Sequence, residues 1–249
     1  MFLEYLVDKQ NKDKLLEQLQ DYSPQIRKLN DDSFIVSVSK DGASEPVARI
    51  LSDINDKAMI ANPVVLSNGS AAYFNKTLFP LINDFERKLR KLLYAASAFN
   101  KDDGSTVAKL EEKDLGDIFV LLFRDKDYWD RVKTYVNNNK GKGWEGFSRE
   151  LTDYLTSEKE NLLWDRLLPG QVPTLKKRFI EVRLRRNDVM HAHIISKTIF
   201  TKSRTLFQNI NEELDKAIEE IAKGTLIPED YNDVINEAIE IYDGSYEIL

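Results

Sequence analysis

The chain of 249 residues contains no cysteine and only two histidines. The lack of cysteine excludes disulfides, thiol nucleophiles and cysteine-based metal sites, and it is typical of proteins in a reducing compartment. No apolar run reaches the about 20 residues that a membrane-spanning helix needs. The first residues also lack the basic and apolar regions of a secretory signal. The sequence therefore predicts a soluble, cytoplasmic protein with no membrane partner.

The charges are unevenly distributed along the chain. The formal net charge of −6 by itself argues against a nucleic-acid-binding protein. Residues 171–205, here called the basic segment, nevertheless hold nine lysines and arginines against Glu181 and Asp188. Residues 206–249 hold twelve acidic and two basic side chains. The basic segment can attract phosphate locally, or it can pair with the acidic residues after it in an ion-laced helical hairpin.

The first 70 residues alternate between strand and helix patterns. Strand-like residue types occupy 2–7, 26–29, 33–39 and 59–65, and apolar residues at helical spacing occupy 11–22 and 44–54. The order β-α-β-β-α-β is typical of a ferredoxin-like sandwich of one sheet and two helices. The stretch Ser67–Ser70 has the composition of a linker to the rest of the chain.

Helical patterns dominate from residue 71 onward. A helix over 78–99 has Pro80 near its start, where proline is tolerated. Further helices are predicted over 115–123, 128–136, 144–155 and 158–168, from 174, from about 205 to Gly224, and after Pro228. The fold class is therefore α+β. A small α/β module in 1–70, for partner binding, oligomerisation or sensing, precedes an all-α domain in 71–249.

Both histidines, His191 and His193, lie in the basic segment, shortly after Arg185, Arg186 and Asn187. On a helix, Asn187 and His191 share a face with about 40° between them, and Arg183 lies one turn further back. Arg186 lies about 140° around the helix axis from His191, but its long side chain can reach toward the same end of the helix. An imidazole can accept a proton from a ribose 2′-hydroxyl, and a guanidinium can hold phosphate oxygens. These groups suit the cleavage of an RNA phosphodiester.

Arg186 and Asn187, followed by three residues and His191, resemble the R-(polar)-x-x-x-H motif of the HEPN superfamily of nucleotide-binding domains. Residues 78–90 are similar to the opening helix of HEPN proteins from abortive-infection and toxin systems, and the resemblance spans residues 75–225. It implies a metal-independent endoribonuclease without a cofactor, usually a homodimer. In that family Arg186 would hold the phosphate, Asn187 would orient a neighbour, and His191 would be the base or acid.

Arg183, Arg185 and His193 are further candidates for binding the RNA substrate. The family's looser spacing also permits Arg185 with His191, or Arg186 with His193. Asn187 in the polar position favours Arg186 with His191. Toxin systems imply an antitoxin or other regulatory partner. His193 stands where HEPN toxins controlled by adenylylation carry a tyrosine, which argues against that form of control.

Other interpretations of the two histidines stay open. His191 can be a histidine at a helix C-terminus that interacts with the helix dipole. A metal site on His191 and His193 is disfavoured, because residues two apart on a helix diverge by about 200° and no third histidine exists. The α domain can instead be a non-catalytic module for RNA or nucleotide, or a helical interaction scaffold.

A single well-placed imidazole in each chain predicts a homodimer. Cleavage by 2′-oxygen attack needs a base on one side of phosphorus and an acid or cation on the other. We therefore expect Arg186 and His191 of two chains to line one shared cleft, with the N-terminal module outside it.

Overall fold

The computed structural model of the chain describes residues 1–99, 105–114, 116, 122–123, 134–139, 141, 143, 147–148, 151, 163–225 and 231–246. These residues form a small antiparallel sheet near the N-terminus followed mostly by helices, which confirms the mixed α+β class. The helices predicted over 115–123, 128–136 and 144–155 lie mostly outside the described residues. No helix in the described ranges has the length and apolar character needed to cross a membrane.

The N-terminal elements follow the predicted order. They are β1 (Phe2–Asp8), α1 (Lys9–Leu19), β2 (Gln25–Lys28), β3 (Ser33–Ser39), α2 (Glu45–Ala58) and β4 (Val64–Asn68). The sheet has the order β2-β3-β1-β4, and every neighbouring pair is antiparallel. Asp8 caps α1, because its Oδ1 accepts a hydrogen bond from the backbone N–H of Asn11 at 2.8 Å.

One face of the sheet packs against α1 and α2. Alternate side chains of β1 are buried, as a strand with one covered face requires. They share a core with apolar residues of β3, α1 and α2. Tyr5 is buried in this core, and its hydroxyl donates to Asn55 Oδ1 at 3.2 Å. Burial raises the pKa of Tyr5, so the phenol stays protonated and remains a donor.

The predicted linker at Ser67–Ser70 is wrong, because β4 passes directly into α3 (Gly69–Phe99). Asn68 Oδ1 accepts from the backbone N–H of Ala71 at 2.9 Å and so satisfies a donor at the start of α3. A Cβ atom on Gly69 would lie 2.8 Å from the backbone oxygen of Phe2. The junction is therefore a packed corner and not a flexible connection.

The remaining described helices are α4 (Ser105–Glu112), α5 (Leu163–Leu167), α6 (Pro173–Met190), α7 (Lys197–Ala222) and α8 (Tyr231–Tyr246). Pro80 lies in the interior of α3, so the expectation that it lies near a helix start is wrong. Arg178 interrupts α6 with φ −124° and ψ 22°. Gly224 follows α7 with φ 70°, the left-handed conformation predicted for it.

The chain divides into two compact units. The first unit comprises Met1–Asn83 and Arg185–Phe207, and the second comprises Asp84–Leu184 and Gln208–Leu249. The first unit thus extends past residue 70 and contains both histidines together with the α/β module. Segments of α3, α6 and α7 belong to each unit.

In the first unit, the start of α7 is fixed to α2 and α3. Phe200 is fully buried and stacks on Phe74 with 4.4 Å between ring centroids. Glu45 accepts from Arg204 at 2.7 Å and from Arg49 at 2.9 Å, and both guanidinium groups lie over the Phe200 ring. Aromatic stacking, cation–π contacts and ion pairs therefore all act around the Phe200 ring.

The second unit has its own aromatic core. Trp164 is fully buried, stacks on Phe123 with 4.7 Å between centroids, and donates from Nε1 to the backbone oxygen of Gln171 at 3.1 Å. Glu213 accepts from the backbone N–H and the hydroxyl of Thr174 at 2.9 and 2.5 Å. This carboxylate satisfies donors at the start of α6.

Replacing Gly69 with alanine should destabilise the fold by about 1–3 kcal/mol, because the new methyl group overlaps backbone that cannot easily move. Denaturant unfolding of the full chain measures the loss. Gly143→Ala is the matched control, because nothing lies within 4 Å of its Cβ position. Equal stability of Gly69→Ala and wild type would show that the corner is not close-packed.

Glu45→Gln should weaken the fold at neutral pH by less than about 1 kcal/mol. The hydrogen bond from Arg204, and then that from Arg49, lowers the pKa of Glu45 below its ordinary value. The charged form therefore stabilises the fold above the unfolded-state pKa of about 4.3 and loses this effect as pH falls. Unfolding measured from pH 7 to 3 should show the two proteins converging, which Glu111→Gln on α4 should not reproduce. A pH-independent difference would contradict the assignment.

Candidate functional site

The candidate residues lie at the C-terminal end of α6. The helix ends at Met190, and the backbone N–H of His191 still bonds to the oxygen of Asn187 at 3.0 Å. Asn187 and His191 are therefore one helical turn apart, as predicted. His191 occupies the helix C-terminus, which is also the position that its interpretation as a dipole-binding histidine requires.

The chain leaves α6 through a left-handed turn at Ala192, which has φ 52°. The backbone N–H of Ala192 bonds to Val189 O at 3.1 Å, and that of His193 bonds to Asp188 O at 2.8 Å. These two bonds form a Schellman motif with alanine where glycine is usual. The backbone oxygen of His193 accepts in turn from Asn75 Nδ2 on α3 at 3.0 Å. The residues that follow α6 are thus hydrogen-bonded both to the end of α6 and to α3.

This turn brings the two imidazoles together. The ring centroids of His191 and His193 lie 5.9 Å apart, with 30° between the ring planes. The expectation that the rings diverge by about 200° is wrong, because it assumed that the helix continues through both residues. Both side chains are exposed to solvent.

Asp188 joins two candidate residues and was not itself among the predicted site residues. Its Oδ2 accepts from Arg185 Nη1 at 2.5 Å, and its Oδ1 lies 3.2 Å from His193 Nδ1. The carboxylate is half-buried, with 26 % of its side chain exposed. The sequence does carry a signal for the first contact, since Arg185 and Asp188 have the i,i+3 spacing of a helical ion pair. The second contact depends on the turn.

Arg186 contacts Asn187, the residue expected to orient a neighbouring group. Its Nη1 donates to Asn187 Oδ1 at 3.3 Å, and both side chains are half-buried. Arg185 is engaged by Asp188, whereas Arg183 is exposed and belongs to the second unit. The structure therefore forms one pair from Arg186 and Asn187 and one cluster around Asp188.

Five of the nine cations of the basic segment form ion pairs outside the acidic segment that follows. Their partners are as follows: Lys176 with Asp165, Arg178 with Glu181, Arg185 with Asp188, Lys197 with Asp53, and Arg204 with Glu45. None of these five carboxylates lies in 206–249. The alternative of an ion-laced hairpin is therefore wrong for these residues.

The start of α7 connects this site to the α/β module. The backbone N–H of Lys197 donates to Ser52 Oγ at 3.0 Å, and its ammonium pairs with Asp53, both on α2. The sequence predicted that the module lies outside a shared cleft, and it did not predict this attachment between the module and the site.

Within the described ranges, no three His, Asp or Glu side chains are grouped as metal ligands.

The chemical capacity of the site follows from these contacts. Asp188 engages Nδ1 of His193, so Nε2 is the nitrogen directed to other partners. His191 offers a second imidazole on the same side of the turn, and Arg186 places a guanidinium one residue before Asn187. Two imidazoles near each other, with a guanidinium on the same helix, are components that phosphodiester cleavage can use.

In comparisons with protein-family models, curated proteins and solved structures, nothing significantly matches this chain.

Ala192→Gly should stabilise the chain by about 0.5–1 kcal/mol. A left-handed conformation strains a residue with a Cβ atom by about 1–2 kcal/mol, and the greater unfolded entropy of glycine offsets about half of the gain. Ala108→Gly on the exposed face of α4 is the control with the opposite sign, with a loss of about 1 kcal/mol. Thermal unfolding measures both. Destabilisation by Ala192→Gly would mean that Ala192 is not left-handed in solution.

Proposed function

We propose that the chain is a metal-independent endoribonuclease that cleaves RNA by attack of the ribose 2′-oxygen. The observation that carries this proposal is the 5.9 Å separation of the two imidazoles at the end of the helix that also carries the Arg186–Asn187 pair. Arg186 binds the phosphate, Asn187 positions that guanidinium, and His191 accepts the 2′-hydroxyl proton. Each role uses chemistry that the side chain performs without a metal ion.

The proposed family is the HEPN superfamily, and its support is the motif formed by Arg186, Asn187 and His191 at a helix end. For the N-terminal module we propose a ferredoxin-like fold, supported by the β-α-β-β-α-β order and the antiparallel arrangement β2-β3-β1-β4. We further propose a cytoplasmic role as the effector of an antiphage or toxin system, regulated by a partner. The attachment of α7 to Ser52 and Asp53 gives the module a physical route to the site.

The test incubates the purified full chain with RNA in the presence of EDTA. Wild type should cleave RNA and leave 2′,3′-cyclic phosphate ends, because the 2′-oxygen and not water attacks phosphorus. A 2′-deoxy sugar at the cut should block the reaction. His191→Ala and Arg186→Ala should each lower the rate by about 10²–10³-fold or more, whereas Arg27→Ala, an exposed arginine on β2, should not.

Three outcomes would contradict the proposal. The first is activity that disappears with EDTA and returns with one divalent ion. The second is cleavage of DNA and RNA at equal rates. The third is full activity of both His191→Ala and Arg186→Ala, with circular dichroism showing that they are folded. Binding of RNA without cleavage would identify the chain as the non-catalytic alternative.

A further inference from the structure

His193 lies in a position that its sequence spacing did not predict. The Schellman bonds fix its backbone N–H to Asp188, and Asn75 holds its backbone oxygen at 3.0 Å. The backbone that carries the His193 ring is therefore hydrogen-bonded through both its N–H and its oxygen. Such positioning is what a group that transfers protons requires.

Asp188 also fixes the side chain of His193. The distance from Asp188 Oδ1 to His193 Nδ1 is 3.2 Å. A carboxylate beside Nδ1 favours the tautomer with a proton on Nδ1. Among the described residues, Arg185 pairs with the other oxygen of Asp188, the His191 ring lies 5.9 Å from the His193 ring, and Asn75 contributes a neutral amide from α3.

We propose that His193, oriented by Asp188, is the general acid for the leaving 5′-oxygen, so that one chain holds both proton-transfer groups. This inference rests on the proposed ribonuclease function. His191 removes the 2′-hydroxyl proton as the 2′-oxygen bonds to phosphorus. His193 donates the proton on Nε2 as the bond from phosphorus to the 5′-oxygen breaks. The products are a 2′,3′-cyclic phosphate and a 5′-hydroxyl.

The ring separation fits this division of labour. Each imidazole must come within about 2.6–3.2 Å of its oxygen, and the two oxygens lie on opposite sides of one phosphorus. Rings with centroids 5.9 Å apart can therefore contact the two oxygens of one phosphodiester. The HEPN resemblance implies that a second chain completes the site, whereas His193 supplies the missing group within the same chain.

The first experiment measures cleavage of two substrates by full-length variants. On RNA, His193→Ala should lose about 10²–10⁴-fold in rate, and Asp188→Ala should lose less. On a ribonucleoside 3′-phosphate with a p-nitrophenyl leaving group, which departs without protonation, His193→Ala should recover most of its rate and His191→Ala should not. Glu181→Ala is the matched control, because it breaks the equivalent i,i+3 pair with Arg178 on the same helix. Wild-type-like cleavage of RNA by His193→Ala would overturn the inference and leave the ribonuclease function intact.

The second experiment does not depend on activity. Long-range ¹H–¹⁵N NMR at a pH where His193 is neutral should show its proton on Nδ1 in wild type. Asp188→Ala should lose that preference, whereas Glu181→Ala should keep it. A wild-type proton on Nε2 would overturn the role of Asp188, even if no RNA is cleaved.

The third experiment tests whether one chain suffices. An Arg186→Ala chain mixed with a His191→Ala chain should stay inactive, because each site lacks one group. Recovery of activity on mixing would show that the site is shared between chains and would overturn the one-chain site.

Discussion

The left-handed turn at Ala192 is the constraint on which the candidate site depends. A helix that continued past Met190 would place the two imidazoles on different faces, since residues two apart on a helix diverge by about 200°. With φ at 52°, Ala192 reverses the chain, and two Schellman bonds hold the reversal in place. The rings then lie 5.9 Å apart. Strain at a residue with a Cβ atom is common at functional sites, where the surrounding bonds hold it.

The turn is supported by contacts that are distant in sequence. Asn75 on α3 binds the backbone oxygen of His193, and the next helix begins with Lys197 bonded to Ser52 on α2. Three residues later, Phe200 is buried against Phe74. The site is therefore anchored on the α/β module, which explains why the compact unit containing residues 1–83 also contains Arg185–Phe207. The module is part of the structural frame of the site.

Asp188 gives this site its electrostatic organisation. Its carboxylate neutralises Arg185 and orients His193, so the densest positive charge of the chain is partly compensated where the imidazoles lie. Arg186 is held separately by Asn187. The arginines of this short run therefore have different roles, although composition alone makes them equivalent. The described contact of Arg185 is with a carboxylate, whereas the described contact of Arg186 is with the neutral amide of Asn187.

Local patterns by themselves determined the α+β class, the order of the first six elements, the helical turn between Asn187 and His191, and the left-handed Gly224. Period-2 and period-3.6 hydrophobicity report short-range geometry, which the sequence specifies directly. Tertiary structure decided the rest. The corner at Gly69 depends on the backbone of Phe2, and the proximity of the histidines depends on one φ angle that alanine rarely adopts. The partners of the basic segment depend on which carboxylates the fold brings near. Such features arise from contacts between residues far apart in the chain, and no periodicity encodes them.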